Sequence, residues 1–374
     1  MDKISNFIRH NYFAHPTLVL DVEKVRENYL SFKSAYPTAS IFYAVKANPD
    51  TKILQQLHEL GSSFDAASIG EIRQCISIGV RPSQISFGNT VKSGEAIAEA
   101  FALGVTLFAA DSEQELQKIA RFAPHSSIYI RMLVQNNLAD WPLSRKFGCV
   151  PEKIVPLLQY AKQLGLAPIG ISFHVGSQTK HPDMWDATIQ TASRIWNRAL
   201  EVGIELTLLN IGGGFPVKYQ EEVTKPAEYG RYISEKINTA FSGIKTLMLE
   251  PGRAIVATAG SIAARVMLVS NKGDFQYNWV YLNVGRFSGL AETEGESIRY
   301  RFTVLGKEQE PTRQFKVAGP TCDSADILYE RNVVSLPRSI TYDDIVVIND
   351  CGAYTSTYST ICFNGFEPLQ VVHV

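Results

Sequence analysis

The chain has 374 residues, 36 basic and 37 acidic, for a formal net charge of −1. At about 150 residues per domain that length suits two or three cores, and 45% hydrophobic with 20% charged residues is ordinary for a globular protein. The charge balance argues against a nucleic-acid binder, which needs a basic stripe. No apolar run approaches the ~18 residues of a membrane span; the nearest candidate, 255–269, is broken by Arg265. The N-terminus lacks the basic start and apolar core of a signal peptide. Five cysteines (Cys75, Cys149, Cys322, Cys351, Cys362) are odd in number and show no CxxC spacing. They read as reduced thiols of a cytoplasmic protein, with no disulfide framework and no metal site.

In chain order, 17–20 is a first β-prone run. Eight more follow at 41–45, 63–67, 85–87, 105–109, 128–133, 169–173, 206–211 and 246–249. Between them lie amphipathic helical stretches at 52–60, 69–78, 93–103, 112–122, 155–164, 184–202 and 227–240. Short continuous apolar runs are the mark of parallel strands buried on both faces. Eight strand–helix units suggest a (β/α)8 barrel of the TIM type, although an open doubly wound sheet shares the same order. The strand ends favour the barrel: Lys46, Asp65, Asn89, Asp111, Arg131, His174, Gly212, Gly213, Gly214 and Glu250 all sit there, where barrel active sites collect. Beyond Arg253 come β-branched runs at 279–282, 298–302, 315–317, 345–348 and 369–372, separated by turn signals at 271–273 and 364–365. The expected division is a barrel over 22–253 and a mostly antiparallel β domain made of 1–21 plus 254–374.

A lysine after a strand is ordinarily solvated surface. In a desolvated barrel mouth, however, the Lys46 amine becomes a nucleophile suited to a Schiff base. Glu250 is ordinarily a cap or an ion-pair partner of Arg253; with a pyridoxal ring in the mouth it would keep the pyridine nitrogen protonated. The glycine run 212–214 lacks the third glycine of a dinucleotide fingerprint. Its backbone N–H groups suit a phosphate, more so with Arg253 following in the barrel order. A strand-end histidine such as His174 is more often structural. Cys322 and Asp323, in a turn-rich loop, carry no chemistry by residue type alone.

The motifs YAVKAN (43–48), SFDAAS (63–68), SRKFG (144–148), SFHVGS (172–177), IGGGFP (211–216), EPGR (250–253), CDSAD (322–326), GAYT (352–355) and FNGF (363–366), in this order, resemble the fold-type III pyridoxal-phosphate-dependent amino-acid decarboxylases. The similarity is strongest to the short bacterial ornithine/lysine branch. The resemblance implies a barrel followed by a β domain, with pyridoxal 5′-phosphate as cofactor and Lys46 as its Schiff-base lysine. His174 would stack on the ring and Glu250 would pair with its nitrogen. Ser177, Gly213, Gly214, Arg253 and Tyr354 would hold the phosphate, with Asp65 and Arg131 close to the Schiff base. Cys322 would reprotonate Cα. Asp323, with Tyr354 and Phe363, would bind the substrate, Asp323 taking its distal ammonium. It further implies a head-to-tail homodimer with shared sites, bridged by Lys146 and Asp326. The implied reaction is L-ornithine to putrescine, with lysine as alternative, in polyamine biosynthesis.

One departure bears on selectivity. Better-known members carry a second acid in an Asn-Asp-Gly turn, and here, in a pattern similar to that of the short bacterial branch, the turn is Asn283, Val284, Gly285; Glu292 and Glu294 are the candidates to substitute. An amino-acid racemase of the same barrel type would show an arginine at the ring nitrogen and a tyrosine acid, against Glu250 and Cys322. An inactive regulatory homologue would have lost some of Lys46, His174, Glu250, Arg253, Cys322 and Asp323.

Overall fold

A computed structural model describes residues 2–134, 146–273 and 276–374. Two compact units are present, one of Arg26–Pro216 with Val223–Ala254, the other of Met1–Val25, Val217–Glu222 and Ile255–Val374. The first strand, β1 (Thr17–Leu20), belongs to the second unit.

The first unit is a closed parallel barrel of β2 (Ser40–Ala44), β3 (Ser63–Ala66), β4 (Ile85–Phe87), β5 (Leu107–Ala110), β6 (Ser127–Arg131), β7 (Ala167–Ser172), β8 (Leu208–Asn210) and β9 (Thr246–Leu249). Each strand pairs with the next, and β9 returns to β2 through Ser40–Met248 and Ile41–Leu249. These strands are short and buried because helices cover their outer faces; Phe64, Phe87, Phe108 and Ile130 are almost wholly enclosed. The helices begin sharply. Asp50, Ser68, Ser93 and Ser112 each accept a first-turn N–H with the side chain. The turns between strand ends and helices are therefore short, and the residues on them are held in place. One helix starts at Pro151, earlier than the apolar period suggested, because proline suits the first helical position. Inside the barrel, Ser86 of β4 and Tyr129 of β6 share a 2.8 Å hydrogen bond, which pairs two polar groups that burial would otherwise penalise.

The second unit contains β10 (Gly260–Ser270), β11 (Asn278–Leu282), β12 (Arg301–Val304), β13 (Thr312–Ala318), β14 (Ile327–Pro337), β15 (Ile345–Asn349) and β16 (Gln370–His373). Their order is β12-β15-β10-β11-β13-β14, with β1 beside β10 and β16 beside β1. Pairing is antiparallel except for β1 with β16 and β11 with β13. The segment that looked most membrane-like starts with short helical turns up to Ala259 and from Gly260 becomes β10, a long central strand; Arg265, which interrupts it, reaches Asp343 at 2.7 Å. An N-terminal helix, Lys3–His10, is capped by Asp2 and packs Ile4 and Ile8 on Val19, Ala263 and Val347. Among the described residues no helix is long and apolar enough to cross a membrane, and no cluster of His, Cys, Asp or Glu could hold a metal.

Candidate active site

The barrel turns bring the expected groups to one end. Lys46 lies in a 3-10 turn, Val45–Ala47, directly after β2. Its neighbours Val45 and Ala47 are buried, and Tyr43 Oη donates to the Asn48 carbonyl at 2.9 Å, so the turn is fixed while Lys46 itself is exposed. The Ala44 N–H donates to Pro251 O at 3.1 Å, which ties this turn to the one carrying Glu250.

Asp65, on β3, is buried, and its Oδ1 has no hydrogen-bond partner. Gly88 makes room for it: a β-carbon there would stand 1.9 Å from Oδ1. Burial, then the Glu250 charge, push the Asp65 carboxyl well above its ordinary range, against the pull of Lys46 and Arg131. His174 follows β7 with Nδ1 buried and unpartnered. Burial, Arg131 and Lys46 hold its pKa well below the usual histidine value, so the imidazole is neutral. Arg131 ends β6 with its guanidinium 5.2 Å from the Phe147 ring. Glu71 accepts the Ala67 N–H at 2.6 Å; burial raises its pKa, while that bond and the Lys46 charge oppose the rise.

Glu250 is held by its neighbours. Asn210, at the end of β8, donates Nδ2–H to Glu250 Oε1 at 2.5 Å and accepts the Gly212 N–H on Oδ1 at 2.8 Å. The Glu250 N–H in turn donates to Gly212 O at 2.8 Å. Gly212 (φ +68°) and Gly214 (φ +100°) are left-handed, and added β-carbons would lie 2.4 Å from Phe173 O and 2.1 Å from Gly176 O. Only glycine fits this close approach. Beside the loop, Arg253 is buried and donates Nη2–H to Ser177 Oγ at 3.2 Å.

In the β unit, Cys322 and Asp323 are exposed on the loop between β13 and β14. The Cys322 N–H donates to Asn364 Oδ1 at 2.8 Å, which joins this loop to the turn holding Phe363; the Phe363 ring lies 4.9 Å from Phe287. Tyr354 sits at φ 55°, its ring 6.1 Å from Tyr358. Asp326 is buried with donors of its own unit on both oxygens. Of the 144–148 motif, Ser144 and Arg145 fall outside the described residues, and Lys146 is exposed, 4.9 Å from the Phe147 ring. Val284 is fully buried in the turn after β11. Of the two acids that could replace the missing one, Glu292 is buried, whereas Glu294 is largely exposed and paired with Arg286 at 2.6 Å.

The sequence reading passed over Asn210, Glu71, Gly88 and Asn364. Asn210 was the most findable, since a polar residue ending an otherwise apolar strand just before a glycine loop has to be satisfied there.

The residues fit pyridoxal phosphate. Buried acceptor atoms of Asp65 and His174 lack partners, a crowded glycine loop lies beside Ser177 and Arg253, and a carboxylate and a lysine stand at the same barrel end. Barrel, β sheet and site define a fold-type III pyridoxal-phosphate enzyme. The family model described as pyridoxal-dependent decarboxylase, pyridoxal binding domain, matches residues 22–257. A lysine/ornithine decarboxylase of Selenomonas ruminantium is 34% identical over 352 residues, covering 94% of this chain and 87% of the relative. The structure of the lysine/ornithine decarboxylase from Vibrio vulnificus, complexed with cadaverine, superposes with a TM-score of 0.88 at 31% identity, covering 99% and 97% of the two chains. That of the Paramecium bursaria Chlorella virus arginine decarboxylase, bound to agmatine, gives 0.89 at 28%, covering 99% of each. The chain belongs to the pyridoxal-dependent decarboxylase family, and it is a pyridoxal-phosphate-dependent decarboxylase of a basic amino acid.

Proposed function

We propose that this enzyme converts L-ornithine to putrescine and carbon dioxide, with lysine as its alternative substrate, as a cytoplasmic step of polyamine biosynthesis. The observation that carries the reading is the barrel end: the Lys46 amine and the Glu250 carboxylate, the latter locked as an acceptor by Asn210. Pyridoxal phosphate supplies a sink for the electron pair left at Cα when the bond to the carboxylate breaks. Lys46 Nζ would be the group that holds the cofactor through its aldehyde. Glu250 holds the proton on the pyridine nitrogen. Neutral His174 stacks on the ring without adding charge, while Gly213, Gly214, Ser177 and Arg253 hold the phosphate. Cys322 Sγ delivers the proton to Cα, and Asp323 pairs with the distal ammonium. Free thiols at all five cysteines suit a reducing compartment.

Cys322 and Asp323 are exposed in their own chain, which supports a homodimer in which they serve the barrel of a second copy, with Lys146 and Asp326 at the interface. Mixing inactive Lys46→Ala and Cys322→Ala variants should then restore roughly a quarter of wild-type activity through mixed dimers; no recovery would refute shared sites. With Val284 in the turn, ornithine and lysine differ at the site by one methylene, worth about 1–3 kcal/mol. Side-by-side kcat/KM for ornithine, lysine, arginine and diaminopimelate tests the substrate. Ornithine is expected first and lysine second; a preference for arginine or diaminopimelate would overturn the proposal.

A further inference from the structure

Asp326 closes the loop that carries Cys322. Its Oδ1 accepts the Arg286 N–H at 2.8 Å, and its Oδ2 accepts the Thr321 N–H at 3.0 Å and the Thr321 hydroxyl at 2.7 Å. The loop is cinched at the backbone as well: Gly319 N–H donates to Asp326 O at 2.9 Å, and Asp326 N–H to Asp323 O at 3.0 Å. Two glycines shape the slot. A β-carbon on Gly285 would come 2.2 Å from Oδ1, and one on Gly319 would come 2.3 and 2.4 Å from the two oxygens. Asp326 is only 3% exposed, and donors from two segments meet its carboxylate, the turn after β11 and the loop after β13. Such a site demands an acceptor at both oxygens, which a carboxylate supplies and an amide does not.

We infer that Asp326 is a positioning residue: it locks the Cys322 loop to the 283–288 turn and thereby fixes where the Cys322 thiol delivers its proton. This rests on Cys322 being the acid of the proposed reaction. In the productive step the S–H bond breaks, the proton forms the Cα–H bond of the diamine, and solvent reprotonates the thiolate. With the thiol displaced, water would supply the proton at the wrong carbon and then hydrolyse the C=N bond, so that an aldehyde and pyridoxamine phosphate would be released and that site would stop turning over.

The test uses the holoenzyme and two readouts: pyridoxamine phosphate formed per carbon dioxide released, and the rate of Cys322 alkylation by iodoacetamide in the resting protein. The first is a ratio per turnover, so a smaller folded fraction leaves it unchanged. Asp326→Asn places an N–H against a donor and is expected to raise the abortive fraction about tenfold or more, with alkylation several-fold faster. Thr321→Val, which keeps the backbone contact and removes one donor, should move both readouts the same way by less, and it decides the matter if Asp326→Asn does not fold. Lys146→Ala should leave the abortive fraction at its wild-type value. Wild-type readouts in both loop variants, or an equal rise in Lys146→Ala, would overturn the clamp. If Cys322→Ala itself gives clean product, the assignment of Cys322 as the acid fails instead, and the alkylation rates still judge the clamp.

Discussion

Asn210 offers the sharpest test of the barrel site, because one buried amide serves two loops at once. Leucine at this position keeps nearly the same volume and removes both bonds. The Gly212 N–H is then buried without its acceptor, which costs about 1–3 kcal/mol of stability. Glu250 loses a charge-assisted donor, an interaction worth about 1.5–3 kcal/mol, and its carboxylate becomes free to turn away from the ring nitrogen. Part of the first cost appears in the cofactor-free protein as a lower Tm. If about half of the second appears in cofactor binding, the Kd for pyridoxal phosphate rises by roughly three- to twelve-fold, since each 1.4 kcal/mol is about a factor of ten. Titrating the cofactor-free protein with pyridoxal phosphate, followed by absorbance, measures that Kd, and thermal unfolding of the same sample measures the stability. A variant with unchanged Kd and Tm would show that the 2.5 Å contact does no positioning, and the account of Glu250 would fall with it.

Lys46→Ala is expected to abolish turnover and the Schiff-base absorbance, and a fully active variant would sink the mechanism. Burial lifts Asp65 above its unfolded value, so the native cofactor-free barrel keeps a proton that the unfolded chain has released. Across that window stability falls as pH rises, and Asp65→Asn should flatten the slope in thermal scans from acid to neutral pH; an unaltered slope rules the assignment out. Lys92 is wholly buried, its Nζ 2.8 Å from Glu115 and donating to the Asn89 and Ala109 carbonyls at 2.6 and 2.7 Å. Lys92→Met leaves Glu115 Oε1 buried without its partner, although Lys118 stays 2.5 Å from Oε2; it should cost about 1–3 kcal/mol, and adding Glu115→Leu should recover much of it. Urea unfolding of both variants checks this, and a double variant no more stable than the single one would contradict it.

The barrel was legible because its signal is local. Eight apolar runs alternate with helical periods, and helices open on Asp50, Ser68, Ser93 and Ser112, so order and count could be read directly. Reactive residues at strand ends stood out for the same reason. What escaped depends on partners distant in sequence. β14 was missed because Glu330, Arg331 and Asn332 interrupt its apolar pattern; in the structure the N–H groups of all three donate to the Glu296 carboxylate, at 2.9, 2.8 and 2.7 Å. Those bonds draw Glu296 below its ordinary pKa even though its burial alone would raise it. Run 298–302 was placed early, since the strand begins only at Arg301, where pairing with Asn349 starts. The clamp made by Asp326 likewise declares itself only once Gly285 and Gly319 close around it.

The pairing of β1 with β16 has a bearing on biosynthesis. Residues 17–20 lie in parallel register with 370–373, so one seam of the β sheet joins segments made far apart in time during translation. The barrel's strands, by contrast, have all been synthesised by residue 249, and apart from the β2–β9 closure each pairs with the strand next to it in the chain. On a ribosome the barrel can close while β1 still waits for its second partner, and chains stalled before residue 370 would expose that unpaired edge. Such truncated chains would be prone to aggregate through β1, a liability that vanishes when β16 emerges.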